Sequence, residues 1–278
     1  MARSATARRR TPVLVATIAI TFATMWAPAH AEPALPDSIA AIGDSITRAT
    51  NACCFYGDHP SQSWSTGANP FGPVLSHYER LVASHPAIGA NAFNDARAGA
   101  KMAEADDQAA VAVSQGADYV TILMGANDVC TSSRSTMTDV ADFRTQFRAA
   151  MDTITTGLPD SHVFVASIPN VRRLWRLFHN DPIARLVWRG ATICQSMLSE
   201  TNTAADRRAV VQRERAFNGT LAEVCALYAN CRFDGGAVFD YPFTRDHVSR
   251  LDYFHPDLDG QAVLADITWS RSWWPDAA

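Results

Sequence analysis

Apolar positions fall along this chain in two rhythms. Short, nearly unbroken apolar runs cover residues 38–42, 119–124 and 162–168, with a weaker one at 237–239. Runs of that length without polar alternation fit strands buried on both faces. Between them the apolar spacing changes to three or four residues. Residues 100–116 and 139–157 form amphipathic stretches of this kind. The clearest is 204–228, where Val210, Val211, Phe217, Leu221, Val224 and Leu227 return at helical steps. Strands alternating with helices predict a single α/β domain, a three-layer α/β/α sandwich around a mainly parallel central sheet.

Ligands of such sheets bind beyond the carboxyl ends of the strands. The residues just after each strand are therefore the ones to inspect. Gly43-Asp44-Ser45-Ile46-Thr47 follows the first run, and Gly125-Ala126-Asn127-Asp128 follows the second. Ala98-Gly99-Ala100 lies between them, after a strand that the pattern places only loosely near 92–94. Near the C-terminus, LDYFHPDLDG sets Asp252 three positions before His255, and Pro256 prevents a helix from running through the pair. That spacing brings a carboxylate to one nitrogen of an imidazole and leaves the other free, which is two-thirds of a nucleophilic triad.

The amino terminus changes the picture of where the domain starts. Arg3, Arg8, Arg9 and Arg10 precede an apolar stretch of 12–26, and Ala29 and Ala31 supply the small residues of a cleavage site. Residues 1–31 are predicted to be a secretory signal peptide and 32–278 the folded domain. A membrane anchor needs ~20 apolar residues, more than this stretch supplies, so no stable anchor is expected. The arginine pair hints at twin-arginine export, although the residues around it fit that signal poorly. The full chain carries a net charge of −4, from 24 basic and 28 acidic residues. Cleavage after Ala31 removes four arginines and no acid, which makes the net charge −8. Nucleic acid and anionic membrane surfaces are thereby disfavoured as partners. The expected product is a secreted, extracellular monomer.

Six cysteines follow the cleavage site. An even number in an exported protein reads as disulfides, and six allow 15 pairings. Cys225 and Cys231 are close enough to staple a short loop. Cys130 with Cys194 is the second expectation, which leaves Cys53 and Cys54 to each other in an unusual adjacent bond. Zinc is the competing use of these residues, but no CxxC pair or HExxH helix supports a metal site.

GDSIT at 43–47, the glycine in ARAGAKM at 96–102, GAND at 125–128 and DYFHP at 252–256 occur in the order and spacing of the SGNH (GDSL) hydrolases. The chain resembles that family over almost its whole length after residue 31, and is most similar to secreted esterases and lipases of actinobacteria. Ile46 replaces the leucine of the nominal GDSL block. The resemblance implies the flavodoxin-like SGNH hydrolase fold, Ser45 as nucleophile and His255 as base. It also implies an oxyanion hole made by the N–H groups of Ser45 and Gly99 and the side-chain amide of Asn127.

The same roles follow from chemistry. A serine hydroxyl is a poor nucleophile until a base takes its proton. His255 would accept that proton and return it to the leaving group. Asp252 would fix the tautomer and stabilise the imidazolium. Glycine suits a place where a backbone N–H must approach the substrate closely, and a neutral amide donates to an oxyanion without trapping it as a salt. Among the other histidines, His247 alone is near enough in sequence to compete with His255, and it lacks the preceding aspartate. The GxSxG elbow of the α/β-hydrolases is absent, since position 47 is threonine. Asp44 reads as a residue that shapes the turn.

The reaction is more legible than the substrate. Hydrolysis of carboxylic, fatty-acyl esters through an acyl-Ser45 intermediate needs no cofactor and no metal. Aromatic residues in the loops, above all Trp64, Trp175 and Trp188, are candidate substrate contacts for an apolar acyl chain. The alternatives are a carbohydrate esterase that removes acetyl or other acyl groups, and a catalytically silent binding protein on the same scaffold. The arginines of 170–190 read as a solvated helix face rather than a phosphate site.

Overall fold

In the computed structural model, which describes residues 1, 2, 4 and 33–277, five strands form one sheet in the order β2-β1-β3-β4-β5. They are β1 (Ile39–Gly43), β2 (Ala92–Asn94), β3 (Tyr119–Leu123), β4 (His162–Val165) and β5 (Cys231–Phe233). Every pairing is parallel, with Ile39 opposite both Ala92 and Tyr119, Tyr119 opposite His162, and Val163 opposite Cys231. The signal-peptide segment lies outside the described residues. The helices are α1 (His77–Ser84), α2 (Ala105–Gln115), α3 (Ala126–Val129), α4 (Val140–Gly157), α5 (Val171–Phe178), α6 (Pro182–Gly190), α7 (Gln195–Leu198), α8 (Ala204–Cys225), α9 (Ala237–Asp240) and α10 (Leu258–Trp269). No helix among the described residues is long and apolar enough to cross a membrane.

The three central strands are buried along nearly their whole length, which is why they read as unbroken apolar runs. Helices α2, α4 and α8 pack side by side over the sheet, with Phe143 of α4 stacked on Phe217 of α8 at 4.0 Å between ring centroids. Helices α1 and α10 meet through His77. Its ring reaches the Tyr119 hydroxyl at 3.0 Å and the Thr268 hydroxyl at 2.8 Å. Thr268 already donates to the Leu264 carbonyl, so its oxygen accepts from the ring and the other ring nitrogen accepts from tyrosine. Burial, followed by the Arg80 charge, pushes the His77 pKa down to about 3, in keeping with a neutral ring.

One predicted strand is a helix. Residues 237–239 belong to α9, and the fifth strand lies earlier, at Cys231–Phe233. Gly235 and Gly236, both at positive φ, turn the chain out of the sheet after β5. Asp234 then caps the start of α9, accepting from the N–H groups of Gly236 at 2.8 Å and Val238 at 3.0 Å. A three-residue apolar run does not distinguish strand from helix by itself. β5 escaped notice because it is a three-residue, incompletely buried edge strand with an arginine in its middle.

Two disulfides are formed, Cys130–Cys194 and Cys225–Cys231. The first ties the end of α3 to the start of α7, and the second joins the end of α8 to β5. The expected Cys53–Cys54 bond is not formed. Both residues are free thiols with their sulfurs 2.7 Å apart. Adjacent Cα atoms across a trans peptide lie about 3.8 Å apart, closer than the span a relaxed disulfide bridges.

Candidate active site

The strand order reverses direction at β1, which has β2 on one side and β3 on the other. Crevices open at such switch points, beyond the carboxyl ends of the strands. Ser45 leaves β1 there, the turn into α3 leaves β3 there, and Gly99 follows β2.

The first turn is held from several sides. The side chain of Gln108 on α2 accepts from the Gly43 N–H at 2.8 Å and donates to the Gly43 carbonyl at 3.1 Å, closing the end of β1. A Cβ at Gly43 would sit 2.8 Å from the Leu123 carbonyl oxygen and closer still to Thr47, so only glycine fits between β1 and β3. Asp44 accepts from the Ile46 N–H at 2.9 Å, the turn-shaping role expected of it. Its second oxygen is buried with no hydrogen-bond partner among the described residues, and burial pushes the carboxyl up to about 7 despite that bond and the nearby His255.

Ser45, His255 and Asp252 meet although 210 residues separate the first two in sequence. The Ser45 hydroxyl lies 2.8 Å from His255 Nε2. His255 Nδ1 lies 2.6 Å from Asp252 Oδ2. The turn that carries the pair is closed by Asp252 itself, whose Oδ1 accepts from the N–H groups of Phe254 at 2.9 Å and His255 at 3.0 Å. Burial pushes the Asp252 carboxyl up, but the His255 ring beside it, the Asn51 amide and the His255 N–H outweigh that and hold it below the usual carboxylate range. An acceptor-only carboxylate on Nδ1 places the ring proton there, which leaves Nε2 as the acceptor facing the serine. The Ser45 hydroxyl is bonded to His255 and not to His247, whose Nδ1 accepts from the Thr244 N–H at 3.2 Å.

The expected donors Gly99 and Asn127 follow β2 and β3, the two strands that flank β1. Gly99 adopts a φ of 84°, a left-handed conformation that favours glycine. Asn127 lies in α3 just after its first residue, and one N–H of its amide donates to the Ala100 carbonyl at 3.0 Å. An amide NH₂ carries two donors, so this anchor leaves the second for a ligand. Asp128 adds a tie that sequence reasoning passed over. It accepts from the Met102 N–H at 2.9 Å and the Thr138 hydroxyl at 2.7 Å. Asn127 and Asp128 together fix the 99–102 segment against α3. Asp128 adjoined a residue already singled out. Gln108 gave no comparable signal.

An apolar groove runs from His255, walled by Ile46, Leu174, Leu177, Phe243, Val248 and Phe254. The three tryptophans proposed as substrate contacts are not in it. Trp64 is fully buried, and its indole N–H donates to Thr47 at 3.3 Å. Trp188 is buried and donates to the Tyr253 carbonyl at 3.0 Å, bracing the turn that carries Asp252 and His255. Trp175 packs between His179, at 4.4 Å, and the Arg207 guanidinium, at 4.5 Å. Trp64 and Trp188 are taken up by packing, while Trp175 is half-buried and borders, with Trp188, a separate pocket that His255 does not line. Arg173 is also occupied, donating to the carbonyls of Phe243 and Pro242 and so holding that segment against α5.

A serine, an imidazole and a carboxylate in line beside an apolar groove suit acyl transfer. The comparison with known families agrees. Residues 39–268 match the model of the GDSL-like lipase/acylhydrolase family, and the chain belongs to that family. No curated protein matches it. Among solved structures, a protein described as a GDSL-like lipase from Parabacteroides merdae ATCC 43184 is 17% identical with a TM-score of 0.53, over 86% of this chain and 97% of that one. Phospholipase A1 from Streptomyces albidoflavus NA297 is 16% identical with a TM-score of 0.53, over 84% and 99%. A family 3 carbohydrate esterase from Clostridium thermocellum is 14% identical with a TM-score of 0.46, over 87% and 98%. At these identities the likeness is one of fold.

Proposed function

We propose that this protein is an exported serine esterase that hydrolyses acyl esters through an acyl-Ser45 intermediate, with a preference for apolar acyl chains. The observation that carries the reading is the continuous line from Asp252 through His255 to Ser45, at 2.6 and 2.8 Å, opening onto an apolar groove. The Ser45 oxygen attacks the ester carbonyl while its proton passes to His255 Nε2. Negative charge collects on the former carbonyl oxygen, to be met by the N–H groups of Ser45 and Gly99 and the free donor of Asn127. Collapse of the intermediate expels the alcohol, which takes the proton from His255. Water then repeats the sequence on the acyl-enzyme and releases the acid. Asp252 keeps its charge throughout and steadies the imidazolium.

Export rests on the basic, apolar and small-residue pattern of residues 1–31 and on two disulfides that suit an oxidising compartment.

The acyl preference is tested by kcat/KM on p-nitrophenyl esters from acetate to palmitate. Each methylene buried in the groove contributes about 0.8 kcal/mol, or roughly fourfold. The expected series therefore climbs at least tenfold above acetate before it levels off. A maximum at acetate, together with release of acetate from acetylated polysaccharide, would replace this reading by the carbohydrate esterase.

A further inference from the structure

Asp252 has a partner from the opposite end of the chain. Asn51 Nδ2 donates to Asp252 Oδ2 at 2.6 Å, the same oxygen that faces His255 Nδ1. The amide cannot be turned around without loss, because Asn51 Oδ1 accepts from the Gly57 N–H at 2.8 Å. A backbone N–H needs an acceptor, so the nitrogen end must point at the carboxylate. The backbone of Asn51 is fixed as well. Its N–H donates to the Gly57 carbonyl at 2.7 Å, and its carbonyl accepts from the Ser249 hydroxyl at 2.5 Å. Its φ of 58° lies in the left-handed region, which asparagine tolerates better than other side chains. A second strap joins the same two segments, from the Tyr56 hydroxyl to the Leu251 carbonyl at 2.8 Å.

We propose that Asn51 is a positioning residue for hydrolysis, one that holds Asp252 ionised and turned toward His255. The proposal rests on the reading of Ser45, His255 and Asp252 as the reacting set. With Asn51 in place, Asp252 has two donors on each oxygen, which suits a buried carboxylate. Without it Oδ2 keeps the imidazole alone, and the shallow torsion of the carboxylate is free to carry that oxygen off the ring. Asn51 does not line the groove, so its loss should be felt in turnover and not in substrate binding.

The test is a double-mutant cycle on kcat and KM. Asn51→Gly keeps the left-handed backbone and removes the amide. Asn51→Asp keeps the shape and the acceptor for Gly57, but sets a second carboxylate against the first. Loss of a hydrogen bond to a charged group predicts that Asn51→Gly lowers kcat by about 10- to 100-fold, with KM within about twofold of the parent. Asn51→Asp should lower kcat further, since like charges in contact repel. In an Asp252→Asn background, Asn51→Gly should change kcat by less than about threefold, because there is no charge left to hold. A kcat for Asn51→Gly within threefold of the parent would overturn the proposal, as would an equal loss in both backgrounds or a loss confined to KM. Full activity of Asp252→Asn alone would instead remove the reading of the triad, and this proposal with it. Melting curves of each variant show whether a lost rate comes from a lost fold.

Discussion

Ser45→Ala is expected to lower kcat on a p-nitrophenyl ester by on the order of 10⁴- to 10⁶-fold, while the protein melts at close to the parent temperature. The reason lies in how little else Ser45 does. Its hydroxyl is committed to His255, at 2.8 Å, and the β1 turn is held by other groups: Gln108 on Gly43, Asp44 on the Ile46 N–H, and Gln261, which donates to the Ile46 carbonyl at 2.8 Å. Alanine removes the attacking oxygen and leaves those bonds in place. The backbone N–H of residue 45 and Asn127 also remain, so a small residual rate above water is expected from oxyanion stabilisation alone. Steady-state rates and thermal melts of the two proteins check both parts. A variant that retains a tenth of the activity would mean that another group attacks.

His255→Ala is expected to cost a similar factor, and the double variant with Ser45→Ala little more than either single change. Groups that act as one unit are removed together by the first substitution. The turn should survive the loss of the ring. Asp252 would still accept from the N–H groups of residues 254 and 255 and from Asn51, and Trp188 would still hold the Tyr253 carbonyl. Rate constants for the two singles and the double decide the matter. If the double falls by the product of the two single effects, the residues act separately. If His255→Ala keeps a tenth of the activity, the base lies elsewhere, and His247 on the groove wall becomes the residue to replace next.

What could be read from the sequence was set by burial and by distance along the chain. β1, β3 and β4 are covered on both faces, so each wrote a continuous apolar run. The helices wrote their period because each turns one side to the sheet and the other to water. Edge strand β5 wrote neither signal, and the apolar run just after it was mistaken for it. The structure brings Ser45, His255 and Asp252 together and ties Asn127 to Ala100, next to Gly99. Ser45, Gly99 and Asn127 were legible because a parallel sheet delivers the ends of its strands to one edge, and Asp252 and His255 because they share one turn. The tryptophans were misplaced for the opposite reason. Their places in the sequence said nothing about which way the rings point: Trp64 is buried in the core, and Trp175 and Trp188 lie on α5 and α6, outside the groove at His255. Asn51 gave no signal, since its bond to Asp252 spans 201 residues and an asparagine in a polar loop is ordinary by itself.

The central claim is that Ser45 is the nucleophile, and it is tested most directly by covalent trapping. A fluorophosphonate transfers its phosphonyl group to a serine that an adjacent base has activated, and fluoride leaves. The mature protein is incubated with the reagent, and its intact mass is measured before peptide mapping. One added phosphonyl group per chain, carried on the peptide that contains Ser45 and absent from both Ser45→Ala and His255→Ala, is the predicted result. An unmodified protein that still hydrolyses esters, or a label found on another serine, would contradict it.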